Sequence, residues 1–306
     1  MNTAVILFNQ VLIMFILAGI GYLMFRFGKI SQEGSKSIGN ILIYLSLPCV
    51  IIKGFLLNRT PELMQQLLFS SIAAAVILLI CIIISNLFFK KDAIAVFGSS
   101  FSNPGFFGIP LITASLGSSS VFFIAAFIAF LNLLQWTYGV SIMTNDKSGF
   151  KPSKLLKAPF FIAILIGLFF FLSGITMPVL ALKTIDFLAA VNTPLAMFTI
   201  GIYMAQTDVL KMLVKPKLYF ISIVRLLIIP LIVLAGLYFV PGNMNSMKLA
   251  LLIAAACPVG SNIAVYAQLH NNNYQYAVES VVISTLLSLI TLPLIVTLAG
   301  LIGIAV

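Results

Sequence analysis

Charge is what this sequence has least of. Only 8% of its 306 residues are charged, against about 25% in a soluble domain. Seven residues are Asp or Glu, and they are scattered. They cannot form the carboxylate cluster with which a polyprenyl-type transferase holds magnesium-bound phosphates. There is one histidine, His270. That excludes the H-E-x-x-H motif of an intramembrane metalloprotease and leaves no metal site to expect. No Walker motif is present, so ATP hydrolysis is not expected. The three cysteines, Cys49, Cys81 and Cys257, lie inside apolar segments. They read as buried thiols rather than a disulfide framework. No catalytic residue and no cofactor is expected, and the chain does not read as an enzyme.

Apolar sequence fills the space that charge leaves. The chain is 61% hydrophobic, with a mean hydropathy of +1.18. The apolar blocks are long and unbroken, whereas barrel strands would alternate over short segments. An all-α integral membrane protein in the lipid bilayer is therefore expected. Ten blocks approach the roughly 20 residues of a spanning helix: 4–25, 37–57, 66–89, 93–116, 119–142, 158–177, 184–206, 218–240, 247–269 and 276–303. The first has no basic n-region or cleavage site and reads as a spanning helix, not a signal peptide.

The net charge of +10 comes from short loops and does not suggest nucleic acid. Twelve Lys and Arg residues follow helices 1, 3, 5 and 7. Lys53, Arg59, Lys183 and Lys248 lie on the other side, and Arg225 lies within helix 8. The positive-inside bias places the richer side in the cytoplasm and both termini outside. A multi-pass protein of the inner (plasma) membrane is expected.

The blocks repeat a pattern. SLPCVII around Pro48 in helix 2 is matched by NTPLAMF around Pro194 in helix 7. SNPG in helix 4 is matched by CPVGSN, 257–262, in helix 9. The division is 1–142 (helices 1–5), a cytoplasmic linker at 143–157, and 158–306 (helices 6–10). Five helices per half force the second half to enter inverted. Inverted repeats with paired interrupted helices point to a secondary transporter and its binding site.

Each break should expose the N–H groups opening its second half-helix, a positive, anion-attracting end. Those half-helices should begin near Gly105 and near Asn262, with Asn103 capping or facing the cavity. The candidate substrate-binding residues are Asn103, Pro104, Gly105, Pro258, Gly260, Ser261 and Asn262. Together they would hold a small organic anion, a carboxylate. A simple proline kink is the structural alternative. Neither break contains Asp or Glu, which argues against a cation/proton antiporter.

Other polar residues lie within the apolar blocks. Arg225 sits about 12 Å into helix 8. It is a fixed cation near the crossover, attracting the anion or replacing a coupling sodium, or a side chain snorkelling to the surface. Glu279 could pair with Arg225 or carry a coupling proton. Its alternative is a first-turn carboxylate favoured by the helix dipole. One of Asn132, Gln135 and Asn192 is expected to line the path. Asp186 should lie near the outer surface, and His270 has a surface role. A proton and sodium both remain open as coupling ions.

The same motifs carry a family resemblance. SNPGFFGIPL resembles the N-x-G-F-x-G-x-P-L signature of the auxin efflux carrier family, which includes plant PIN-formed carriers and bacterial malate and malonate permeases. PVGSNIAVYA, 258–267, is similar to the second break, TPLAMFTIGIYMA, 193–205, to helix 7, and SQEGSKSIGNILIYLSLPCVII, 31–52, to the stretch leading into helix 2. The likeness runs along nearly the whole chain, without the long loop of many plant members. It implies a ten-helix 5+5 fold like that of bile acid/sodium symporters, with broken, crossing helices 4 and 9. It also implies a scaffold of helices 1, 2, 6 and 7, a transport domain of helices 3–5 and 8–10, an elevator-like movement and a homodimer. The function expected is secondary transport of an organic anion by alternating access. A sodium-coupled bile-acid-type symporter and a non-transporting ligand sensor are the alternatives. Auxin-like aromatic acids, malate and malonate all remain open as substrates, as does the direction of transport.

Overall fold

A computed structural model describes residues 3–144, 158–240 and 242–304. Most of the expected linker 143–157, with Lys147, Lys151, Lys154 and Lys157, lies outside the described residues. The helices are α1 (Thr3–Arg26), α2 (Gln32–Phe55), α3 (Pro61–Phe89), α4 (Ala93–Ser100), α5 (Pro104–Leu116), α6 (Ser118–Thr144), α7 (Pro159–Ser173), α8 (Val179–Ala205), α9 (Val209–Leu213), α10 (Pro216–Tyr238), α11 (Asn245–Ala256), α12 (Asn262–Leu269) and α13 (Tyr274–Leu301). Seven of them (α1, α2, α3, α6, α8, α10 and α13) are long and apolar enough to cross a membrane; α5, α7 and α11 are shorter apolar helices. Among the described residues there is no β-strand, only one isolated bridge between Ser102 and Val259.

Local chemistry sets the helix ends. Ser31, Thr60, Asp92 and Asn273 each accept, through a side-chain oxygen, the N–H three residues on. This satisfies one of the orphan donors of a helix's first turn. Gly174, at φ +69°, stops α7 after 15 residues, short of the expected 177. Helices α2 and α3 begin about five residues earlier than their hydropathy suggests, because their polar first turns are helical too, and α8 begins as much earlier, in the apolar run before Lys183.

Three helices open into wide, five-residue π turns, Leu42–Ser46, Pro104–Gly108 and Val224–Ile228. Each is followed two residues later by a proline: Pro48, Pro110 and Pro230. The ring lacks an N–H and clashes with the carbonyl four residues back, and the wider turn accommodates both defects. Gln135–Gly139 forms a fourth π turn without such a proline.

Lipid offers no hydrophobic force between helices, so association rests on close packing. Helix α1 lies most closely against the second half of α8. At Gly201 a Cβ would collide with the Ala18 carbonyl, and at Gly21 one would stand 2.7 Å from Phe198 Cα. Helix α2 packs on α7 and α8; α3 packs on α4 and α6; α10, α11, α12 and α13 pack together. Ile13, Ile16 and Ile20 of α1 and Ile72, Leu79 and Ile83 of α3 face outward, as lipid-contacting side chains do.

Candidate functional site at the meeting of two helix breaks

The chain unwinds after α4 and after α11, and the two unwound stretches pair with each other. The Asn103 N–H donates to the Pro258 carbonyl at 2.9 Å, and the Gly260 N–H donates to the Phe101 carbonyl at 2.9 Å. The Val259 N–H donates to Ser284 Oγ of α13 at 3.0 Å. A break in hydrocarbon needs substitute partners for its backbone groups; here each break supplies one acceptor to the other, and α13 supplies a third. The approach requires glycine at 260, where a Cβ would lie 2.8 Å from the Ser102 carbonyl.

Two helix C-termini (α4, α11) and two N-termini (α5, α12) meet at this crossing. Arg225, in the π turn of α10 and fully buried, serves the C-termini. Its Nη1 donates to the carbonyls of Ser99 at 2.9 Å and Ser100 at 3.2 Å, and its Nη2 donates to the Ala255 carbonyl. One cation thereby neutralises two negative dipole ends. The side chain does not snorkel, and it does not pair with Glu279. That carboxylate, 1% exposed, is held by Lys215 at 2.7 Å and by Gln275 at 3.0 Å. The Arg225–Glu279 pair that the sequence allowed is thus not formed: Lys215, opening the approach to α10, reaches Glu279, while Arg225 is turned to the carbonyls.

The N-termini face a cavity of 80 Å³. Ser102, Asn103, Pro104, Gly105, Gly260, Ser261 and Asn262 line it, with Leu47 of α2, Asn132 of α6 and Phe160 of α7 among the opposing residues. Six of the seven expected crossover residues therefore share one cavity. The seventh, Pro258, is buried outside the lining and contributes its carbonyl to the bridge. Asn103 Oδ1 accepts from the Phe106 N–H at 3.2 Å, capping α5, while its Nδ2 has no partner. Ser102 Oγ is likewise unpartnered. Buried donors without acceptors are costly, and an anionic oxygen at this position would satisfy them.

The three amides, one of which the sequence places along the path, separate. Asn132 lines the crossover cavity, its Nδ2 donating to the Ile128 carbonyl at 2.8 Å. Gln135, fully buried, accepts from Asn262 Nδ2 at 3.1 Å and so fixes that side chain. Asn192 lines a different cavity, with Asp186 and Lys53. His270 stacks on Tyr266 at the end of α12. Ser102 was not among the expected residues, although its place beside Asn103 is the signal that could have found it.

The sequence has relatives. A family model described as "Membrane transport protein" matches residues 6–296. A protein of Rhizobium meliloti (strain 1021), named "Putative malonate transporter", is 23% identical over 289 residues, covering 89% of each chain. The chain therefore belongs to the membrane transport protein family, that of the auxin efflux carriers, and is a multi-pass membrane protein of that family.

Proposed function

We propose that this protein is a secondary transporter of a small dicarboxylate, with malonate the first candidate, and that the anion binds at the crossing of the two breaks. The observation that carries this reading is the pairing of the two breaks around a cavity whose Asn103 Nδ2 and Ser102 Oγ lack acceptors. The name of the Rhizobium meliloti relative favours malonate. The size of the cavity, 80 Å³, lies well below the roughly 300–1,000 Å³ of drug-sized sites. It suits a few heavy atoms better than a bile acid or an aromatic auxin.

The ten apolar segments are read as two inverted halves of five. In this reading α1, α2, α7 and α8 form the fixed scaffold, and the remaining helices carry the crossing past it in an elevator-like movement. The protein works as a homodimer, with both termini outside and the Lys53 end of the cavities outward. Arg225 already supplies the positive charge that a bound sodium would bring to the two half-helix C-termini, so no sodium gradient is needed. Glu279 is read as a structural partner of Lys215 and not as a proton carrier.

The test is uptake of radiolabelled malonate by proteoliposomes. Uptake is expected with sodium replaced by a large organic cation, and no uptake of malonate, malate or succinate under any gradient would contradict the reading.

A further inference from the structure

Three cavities lie along one face of α2. Gln32, Lys36 and Ile43 line a cleft of 320 Å³; Ile43 and Leu47 line the crossover cavity; Val50 and Lys53 line a third cavity of 270 Å³. These residues recur at helical spacing, so they form a single stripe. Helix α5 continues in parallel: Pro104 and Gly105 line the crossover cavity, Pro110 and Thr113 the third. Lys53 stands six residues beyond Leu47, about 9 Å along the helix axis. A solute leaving the crossing toward this end would therefore meet the third cavity next.

The third cavity contains two features that a simple vestibule does not need. Lys53 Nζ lies 2.6 Å from Asp186 Oδ1, and the two side chains are 35% and 43% exposed. Asn192 is 2% exposed, and neither its amide nitrogen nor its amide oxygen has a partner. The remaining polar lining residues, Gln10, Thr113, Ser118 and Thr193, are neutral.

From these observations we infer that the third cavity is a second carboxylate-binding subsite, with Lys53 as its cation and Asn192 as its neutral hydrogen-bonding group. The inference rests on the organic-anion reading above. A part-exposed ion pair is weakly held, so an incoming carboxylate exchanges for Asp186 with little change in Coulomb energy. The exchange is like for like: one carboxylate leaves the ammonium as another arrives. The displaced Asp186 oxygen, buried while it faces Lys53, turns outward to water, where the side chain as a whole is already 43% exposed. Asn192 then gains an acceptor for its amide hydrogens, which relieves a buried polar group left without a bond. The subsite would stage small carboxylates beside the crossing, and Asp186 would keep Lys53 occupied when none is present.

The test uses the purified full chain in detergent micelles, with a cysteine introduced at a cavity-lining position, Ala190→Cys. Its reaction with a water-soluble methanethiosulfonate is followed by mass spectrometry. Thr193→Cys serves as a second reporter should the first not fold or not react. The probes are malonate, succinate and acetate, with sulfate as the control anion. Protection by mass action follows 1 + [L]/Kd, so malonate at four times its Kd should slow labelling about fivefold. Lys53→Gln should abolish protection and Lys53→Arg should restore it. Protection should persist with Asn103→Asp, because that change lies at the crossing. Protection that survives Lys53→Gln overturns the subsite, as does equal protection by sulfate. If malonate is taken up but no acid protects, the subsite alone falls. If there is neither uptake nor protection, the transport reading falls and takes the subsite with it.

Discussion

The Arg225 guanidinium donates to the Ser99 carbonyl at 2.9 Å, across 126 positions of sequence. The same group holds Ala255 at the end of α11. One side chain on α10 thus ties together the C-terminal ends of two separate half-helices. It carries a charge into the protein interior with carbonyl dipoles, not a carboxylate, as partners. The C-terminal side of the crossing is thereby neutralised, and the positive N-termini of α5 and α12 lie on the cavity side.

Replacing Arg225 tests that role. Arg225→Met leaves the carbonyls of Ser99, Ser100 and Ala255 buried without their donor, and a loss of about 3 kcal/mol in stability is expected, the scale of breaking a buried charge interaction. Arg225→Lys keeps the charge but loses the planar fork that reaches both half-helices; it should fold better than the Met variant and bind malonate more weakly than the parent. Denaturant unfolding and malonate titration of both variants check this. A Met variant as stable as the parent would refute it.

The two glycines of the crossing should respond differently to alanine. At Gly260 an added Cβ meets the Ser102 carbonyl at 2.8 Å, so Gly260→Ala pushes the breaks apart and should destabilise by about 2 kcal/mol, in the range for overpacking. At Gly105 the nearest atom is Leu47 Cδ1 at 3.6 Å, ordinary contact. Gly105→Ala should fold normally and lose malonate affinity, because the methyl occupies part of the cavity. Thermal unfolding and binding, measured in parallel, separate the two outcomes. Equal behaviour of the two variants would contradict the geometry.

Glu279 offers a test by pH. It is held by Lys215 and Gln275, away from the cavity lining. Glu279→Gln should lower stability by about 1 kcal/mol, since the released Lys215 is 43% exposed and regains water. The pH profile of malonate uptake should keep its shape. Loss of pH-driven uptake in a folded Gln variant would make Glu279 the proton carrier.

Much of the molecule was legible in the sequence because membrane helices announce themselves by composition. Breaks were legible for the same local reason: Asn103–Pro104–Gly105 and Pro258–Gly260–Asn262 cannot continue a helix in hydrocarbon without new partners. What could not be read was long-range pairing. Glu279 and Lys215 are 64 residues apart, and nothing local marks them as partners. Lys248 counted as a loop charge, yet it is 3% exposed and donates to the Val240 carbonyl at 3.0 Å. Its stem is buried and its ammonium finds a carbonyl two residues past the end of α10. The separation of Asn132 from Asn192 was equally hidden, because both are single amides in apolar helices and only the packing of α6 and α8 assigns them to different cavities.

The most direct test is malonate binding to Asn103→Asp, by titration of the purified protein with Lys53→Gln in both parent and variant, so that only the crossing is read. Aspartate keeps an oxygen to accept from the Phe106 N–H and so preserves the cap of α5. It exchanges the free amide donor for a negative charge at the mouth of the crossing. The account predicts a folded protein whose malonate affinity at the crossing falls at least about a hundredfold, the scale of roughly 3 kcal/mol of like-charge and lost-donor energy. A folded Asp variant that binds malonate at the crossing as tightly as the parent would contradict it.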